Sequence, residues 1–329
     1  MHRVAAGGGA GGGGRHQSTG SHREPRCEIA TPPRANFSPT MSHLRSSSLF
    51  SVAGKRVLLT GGGRGIGKMM ATGLVANGAR VAIASRNQAA LDEVVAELRG
   101  LDGGGECVAL RADLSTRAGC EQLAADFAAS SLGGHCDVLV NNSGVSWGEP
   151  LARESGRMNW GWDRVLDLNV KAPFYLTRAM LPQLGAAAAD GADAGDPARV
   201  INVGSIAGVL PQDVPTHAYD ISKAAIHHLT RKLAAELATP QPGAARAVAV
   251  NAIAPGFVPT KMSKGLATWG ADEDVLASKQ PLGRCGGDAD MAGAVLYLAS
   301  PAAAWMTGVI LPVDGGATGA ARVEVLPDE

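Results

Sequence analysis

The sequence predicts an α/β fold: one doubly wound parallel sheet of about seven strands, with helices on both faces. Seven short apolar runs, at 56–60, 80–84, 106–111, 136–141, 198–204, 247–253 and 307–311, alternate with longer segments of helical spacing such as Leu91, Val94, Val95, Leu98 and Ile226, Leu229, Thr230, Leu233. The runs are rich in Val, Ile, Leu and Ala with few polar interruptions, as strands are when both sheet faces are covered. Alternation of this kind implies right-handed crossovers with helices on either side. Ligands of such sheets sit beyond the carboxyl ends of the strands, near the reversal of strand order. Motifs are therefore sought just after each run.

The first 52 residues differ from the rest. They hold a glycine run from Gly7 to Gly14 broken only by Ala10, six arginines, many serines and two acids, Glu24 and Glu28. That composition suits a disordered leader, and it is also that of a mitochondrial or plastid transit peptide. Met41 offers an alternative start. The expected organisation is a leader over 1–52, one catalytic domain over 53–316 and a tail over 317–329. Hydrophobic residues make up 45% of the chain and charged ones 18%, enough for a real core. A formal net charge of zero gives no electrostatic reason to expect nucleic acid or an anionic membrane as partner. The five scattered cysteines show no redox or metal spacing, which fits reduced thiols and a cytoplasmic location, with the mitochondrion as the alternative if the leader targets. No metal-ligand constellation is expected.

The first run closes at Thr60 and is followed by Gly61-Gly62-Gly63-Arg64-Gly65-Ile66-Gly67 before a helical pattern. Glycine allows the tight turn and a close backbone approach to a pyrophosphate, and the helix amino end offers unpaired N–H groups. The second run ends Ser85-Arg86-Asn87, where sheets that bind NAD carry an acid for the ribose hydroxyls. Arg86, with Ser85 and with Arg64 from the turn, instead suits a 2′-phosphate, since a guanidinium matches phosphate with a planar fork of donors. The expected cofactor is NADP(H). Asp113, after the third run, suits an adenine amino group, and Asn141, after the fourth, braces the cleft.

A loop is expected over 185–197, rich in Ala, Gly and Asp. Ser205 follows the fifth run, where its hydroxyl can hold a substrate oxygen. Tyr219 and Lys223 open a helical pattern at i and i+4 and so share a face. An ammonium beside a phenol, whose ordinary pKa is about 10, favours the phenolate and brings proton transfer into range. Residues 261–279 mix Met262, Leu266, Trp269, Val275 and Leu276 with charges, as a small amphipathic lid does. Residues 291–313 carry no charge, but Pro301 and Pro312 interrupt them; a helix over 288–299 and a strand near 307–312 are expected rather than a membrane span.

Taken together, Thr60-Gly61-x-x-x-Gly65-Ile66-Gly67, Asp113-Leu114, Asn141-Asn142-Ser143-Gly144, Asn169, Ser205, Tyr219-x-x-x-Lys223 and Pro255-Gly256 with Thr260 resemble, in order and spacing, the short-chain dehydrogenase/reductase family. One departure is Ser143, where the family commonly has alanine. The resemblance implies a single Rossmann-type domain, with Leu114 and Gly144 at the cofactor cleft. It implies that Tyr219 is the acid/base, that Lys223 holds the nicotinamide ribose and lowers the tyrosine pKa, and that Ser205 positions the carbonyl. Asn169 would hold a water of a proton relay through Lys223, and Pro255, Gly256 and Thr260 would contact the nicotinamide end. Members usually assemble as homo-oligomers. Asn142 to Gly148, Trp162, Gly283 to Gly286 and Val313 to Gly316 are similar to the branch of 3-oxoacyl-(acyl-carrier-protein) reductases that includes the rhamnolipid-associated reductase. The substrate implied is a carbonyl or alcohol, carried as an acyl thioester in that branch, with Arg153, Arg157, Lys261 and Lys264 available to an acidic carrier. A polyol, sugar or xenobiotic carbonyl reductase is the alternative enzyme, and a non-catalytic NADP-binding regulator the alternative of another class.

Overall fold

A computed structural model of the chain describes residues 41–153, 160–186, 196–263 and 273–320. The sheet comprises β1 (Arg56–Thr60), β2 (Arg80–Ser85), β3 (Glu106–Arg111), β4 (Val138–Asn141), β5 (Ala198–Val203), β6 (Val248–Pro255) and β7 (Ile310–Val313). The helices are α1 (Ser46–Leu49), α2 (Gly65–Ala76), α3 (Gln88–Leu98), α4 (Arg117–Ala129), α5 (Trp160–Leu166), α6 (Ala172–Gly185), α7 (His217–Leu237), α8 (Glu273–Ser278) and α9 (Asp288–Ala299). All six strand pairings are parallel, in the order β3-β2-β1-β4-β5-β6-β7. The order reverses between β1 and β4, which places a ligand crevice at their carboxyl ends.

The unbroken apolar character of the strands has a direct cause. Val57 and Leu59 of β1 join one core with Val81, Ile83, Val138 and Val140, covered by α2, α3 and α9. Leu58, between them, faces the opposite core with Ala82, Leu139 and Val200, covered by α4, α6 and α7. Successive side chains alternate faces, and both faces are dry.

β1 and β3 coincide with the expected runs, and α9 with the expected 288–299 helix; Ser300-Pro301 ends it as read. β7 starts three residues later than expected. Gly308 adopts a left-handed φ of 78° and Thr307 Oγ1 accepts the Val250 N–H at 3.1 Å, so these residues form a turn before the strand. Pro312 is tolerated because β7 is an edge strand. β4 begins at Val138, two residues late, where the Asp137 carboxylate takes the Arg56 N–H at 2.8 Å and Arg246 at 3.0 Å. No helix among the described residues is long and apolar enough to cross a membrane.

Part of the segment set aside as leader packs on the sheet unit. Val52 is buried in the first core and the Phe50 ring lies 6.2 Å from that of Tyr297. At the other end the Asp314 carboxylate accepts the Thr318 N–H at 2.8 Å and the Thr318 hydroxyl at 2.6 Å, closing a turn. The rest of the leader and of the tail, and most of the loop expected over 185–197, lie outside the described residues.

At the amino end of β5 the fully buried Arg199 guanidinium pairs with Asp196 and donates to the Ser300 carbonyl at 2.9 Å. Lys55 adds a second contact to Asp196 at 2.6 Å. Burial pushes the Asp196 carboxyl up, but the hydrogen bonds and charges of Arg199 and Lys55 outweigh it and hold the carboxyl below its usual range. Without Arg199 the Asp196 carboxylate keeps only Lys55 and the Pro197 and Ser300 carbonyls lose a donor, so Arg199→Met is expected to cost roughly 1–3 kcal/mol in urea unfolding at pH 7. A depressed carboxyl contributes stability above its unfolded pKa and loses it as pH falls through the folded value. The gap between variant and wild type should therefore narrow in unfolding curves below about pH 4; an unchanged gap would contradict the assigned role of Asp196.

Candidate active site

The carboxyl ends of the central strands open onto one cleft of about 960 Å³. That is the upper end of the range for small-molecule sites, about 300–1,000 Å³. Gly61, Arg64, Gly65, Ile66, Gly67, Ser85, Arg86, Asp113, Leu114, Gly144, Ser205, Tyr219, Lys223, Pro255, Gly256 and Thr260 all line it.

The glycine turn leads from β1 into α2. Gly61 holds φ at 74°, and a Cβ at Gly67 would fall 2.2 Å from the Gly61 carbonyl oxygen. Only a bare α-carbon lets α2 start flush against the turn, leaving its amino end open to the cleft. The Thr60 hydroxyl accepts the N–H groups of Asn142 and Ser143, each at 3.0 Å, and the Asn142 amide donates to the Thr60 carbonyl at 2.8 Å. These bonds tie the turn to the exit of β4. Asn142 and Ser143 line the cleft and were not picked out as site residues by sequence. Asn141, which was, lies beneath the wall: its amide donates to Thr177 at 3.2 Å and Asn202 at 2.9 Å. Its bracing of the cleft is indirect. An Asn-Asn doublet at a strand end does not reveal which side chain turns outward.

At the β2 end, Arg64 and Arg86 are exposed on the rim, and among the described residues neither is in an ion pair. Burial raises the Asp113 carboxyl, but hydrogen bonds from Ser115 and the charges of Arg86 and Arg164 bring it below its usual range. At the β6 end, Gly256 packs on Asp314, and the Thr260 methyl faces Gly65 across the cleft.

The reacting groups come from β5 and α7. Ser205 follows β5, and its hydroxyl accepts the Ala207 N–H at 3.1 Å. Tyr219, in the first turn of α7, lines the same cleft as Ser205, which acts to lower its pKa. One turn on, Lys223 is buried and donates to the Val203 carbonyl at 2.8 Å, its ammonium 5.4 Å from the centre of the Tyr219 ring. The predicted lowering of the phenol by the lysine is not what the protein shows. Burial pushes the Tyr219 pKa up, Ser205 opposes it and Asp220 adds to it. The ammonium donates one hydrogen bond to a backbone carbonyl and is itself lowered by burial to about 8.

Asn169 lies behind these groups. It sits in a π-helical turn, Asp167–Lys171, between α5 and α6. Its amide donates to the Val145 carbonyl and to Ser222, both at 2.9 Å, and its oxygen accepts the Val145 N–H at 2.9 Å. Ser222 in turn donates to the Tyr219 carbonyl at 2.7 Å. The side chain thus pins the start of α7 to the β4 exit.

The outer wall is apolar: Val145, Trp147, Val214, Phe257, Met262 and Leu276, the last on α8. Trp147 donates to Glu149 at 3.1 Å, and Arg153, 3.6 Å from Glu149, lies over its ring. Lys261 also lines the cleft. Arg157, Lys264, Leu266 and Trp269 lie outside the described residues.

A glycine turn at the switch point, with a tyrosine, a serine and a buried lysine meeting in the same cleft, defines an oxidoreductase of the Rossmann class. The family model described as Enoyl-(Acyl carrier protein) reductase matches residues 61–318. The rhamnolipids biosynthesis 3-oxoacyl-[acyl-carrier-protein] reductase of Pseudomonas aeruginosa is 41% identical over 267 residues, covering 81% of this chain and 97% of that protein. The galactitol 2-dehydrogenase (L-tagatose-forming) of Cereibacter sphaeroides is 35% identical, covering 82% and 98%. Among solved structures, the Pseudomonas aeruginosa RhlG/NADP active-site complex is similar with a TM-score of 0.71 at 39% identity, covering 82% of this chain and 98% of that one. The chain belongs to the short-chain dehydrogenase/reductase family, whose members oxidise CH–OH groups or reduce C=O groups.

The buried lysine carries a stability cost. A lysine whose folded pKa, about 8, lies below the ordinary 10.5 destabilises the fold fully below pH 8, and the cost fades as pH rises towards 10.5. Lys223→Met should therefore raise stability at pH 7 by roughly 1–3 kcal/mol in urea unfolding, and by less at pH 10. A variant destabilised at both values would contradict this.

Proposed function

We propose that this protein is an NADP(H)-dependent carbonyl reductase that converts a 3-oxoacyl thioester to the hydroxyacyl product. The observation that carries it is the meeting of Ser205, Tyr219 and buried Lys223 in the same cleft as the glycine turn. The cradle fits a dinucleotide: a side chain at Gly67 would fill the turn, and Arg64, Ser85 and Arg86 offer donors to a 2′-phosphate where no acid stands. Bound there, NADPH supplies the hydride.

The chain's own groups handle the oxygen. The Ser205 hydroxyl and the Tyr219 phenol both line the cleft, where together they hold a carbonyl oxygen by two hydrogen bonds. Burial keeps the phenol protonated at neutral pH, so it is poised to give its proton to that oxygen, which suits the reductive direction. Lys223, with a pKa near 8, stands behind the phenol as a group able to return a proton. Asn169 and Ser222 hold the tyrosine in place. The apolar outer wall suits an acyl chain better than a polyol, which supports the 3-oxoacyl reading over the sugar-alcohol one. Lys261 on the cleft wall, and Arg153 over the ring of Trp147, suit an acidic carrier. The described cysteines are all free thiols, which supports a reducing, cytoplasmic setting. A homo-oligomer is part of the same reading: Trp305 is fully exposed, close in sequence to the edge strand β7.

Purified protein should oxidise NADPH with acetoacetyl-CoA, and Tyr219→Phe should lose about 10²–10⁴-fold in kcat. Turnover that survives this substitution, or a preference for polyol oxidation, would overturn the proposal. Arg86→Glu should weaken NADPH binding by about 10–100-fold in a fluorescence titration while changing NADH far less. Equal effects on both would remove the 2′-phosphate argument.

A further inference from the structure

The outer wall of the cleft carries the indole of Trp147, and the chain is clamped on either side of it. The Val145 N–H and carbonyl are both bonded by the Asn169 amide, each at 2.9 Å, and the Glu149 N–H donates to the Pro215 carbonyl at 2.8 Å. The side chain is held too: Nε1 donates to Glu149 at 3.1 Å, and the Arg153 guanidinium lies 5.8 Å from the ring centre. Trp147 is half-buried and belongs to neither core, so the ring is a wall of the site.

Helix α5 meets the indole at Gly161, its second residue. A Cβ built there would fall on the five-membered ring, with Cδ1, Cγ and Nε1 all inside 3.0 Å, closer than real Cβ atoms come. Cγ is the root of the side chain, so a swing of the ring tip alone would not relieve the overlap. Gly161 is buried and its φ lies outside the left-handed region, so the backbone does not demand glycine there. Alanine is the better helix former at such a position. What the missing side chain supplies is room for the indole to lie back on α5. Displaced from that seat, with its backbone tied at Val145 and Glu149, the ring has the open cleft to move into.

We infer that Gly161 and Trp147 form a specificity pair: glycine at 161 holds the cleft wide at its apolar wall, and a side chain there narrows it by driving the indole inward. Gly161 is the positioning residue and touches no ligand; Trp147 is the surface against which the apolar chain of the substrate lies. That this chain is an acyl chain rests on the function proposed above; the seating of the indole on Gly161 does not.

Turnover of acetoacetyl-CoA and of 3-oxododecanoyl-CoA with NADPH reads the width. Gly161→Ala should lower kcat/KM for the long substrate by about 10–100-fold, mostly through KM, and for the short one by less than about threefold. Trp147→Ala should raise the ratio of long-chain to short-chain kcat/KM by about threefold or more. The double variant should match Trp147→Ala within about twofold, because the methyl at 161 then has no ring to displace. A merely structural loss would lower both substrates alike and would persist in the double variant. Independent of turnover, acrylamide quenching of the Trp147 emission in the NADP-loaded enzyme, taken as the difference between proteins with and without Trp147→Phe, should steepen on Gly161→Ala. If Gly161→Ala does not fold, Trp147→Ala decides, and an unchanged chain-length ratio removes the indole from the wall. Equal losses on both substrates, additive effects in the double variant, or unaltered quenching would overturn the inference. A wild type that turns over neither substrate would sink the proposed function instead, and the quenching result would then decide the seating of the indole alone.

Discussion

The contact on which the site depends is the one between the Lys223 ammonium and the Val203 carbonyl. Val203 is the last residue of β5, and Lys223 lies one turn into α7. A buried ammonium without a partner would be excluded from the fold. Its partner is the backbone at the exit of a central strand, so the helix cannot slide along the sheet without stranding the charge. Tyr219 and Ser205 inherit their mutual placement from this tie.

The electrostatics follow from the same burial. Desolvation disfavours charge whatever its sign, so it raises the phenol and lowers the amine. The two groups lean towards their neutral forms side by side, one holding its proton firmly and the other holding it loosely. Pairs of titratable groups displaced from their ordinary values in this way mark acid–base sites.

A layer of polar side chains below the cleft holds the supporting elements in register. Asn141 on β4 bonds Thr177 on α6 and Asn202 on β5, and Asn202 bonds Thr230 on α7 at 2.9 Å, all of them buried. Each polar group in such a layer must be matched, so a shifted strand or helix would leave several unsatisfied at once. Asn169 does the same for the β4 exit loop. The site is therefore specified by polar matching as much as by apolar packing.

The fold and most of the cleft were legible in the chain itself. Unbroken apolar strands, the helical spacing between them and the glycine turn after β1 are local patterns, and local patterns survive folding. The i, i+4 relation of Tyr219 and Lys223 is likewise a property of any helix. Tertiary structure decided what depends on neighbours distant in sequence. Which asparagine of the Asn141-Asn142 doublet faces the cleft is set by the pairing of β4 with β5. The Asn169 amide is taken by Val145 and Ser222, 24 and 53 residues away. Burial, which no sequence window reports, holds the tyrosine pKa above its ordinary value and the lysine pKa below its own. Spacing along the chain determines which side chains share a face; only packing determines which atoms they spend their hydrogen bonds on.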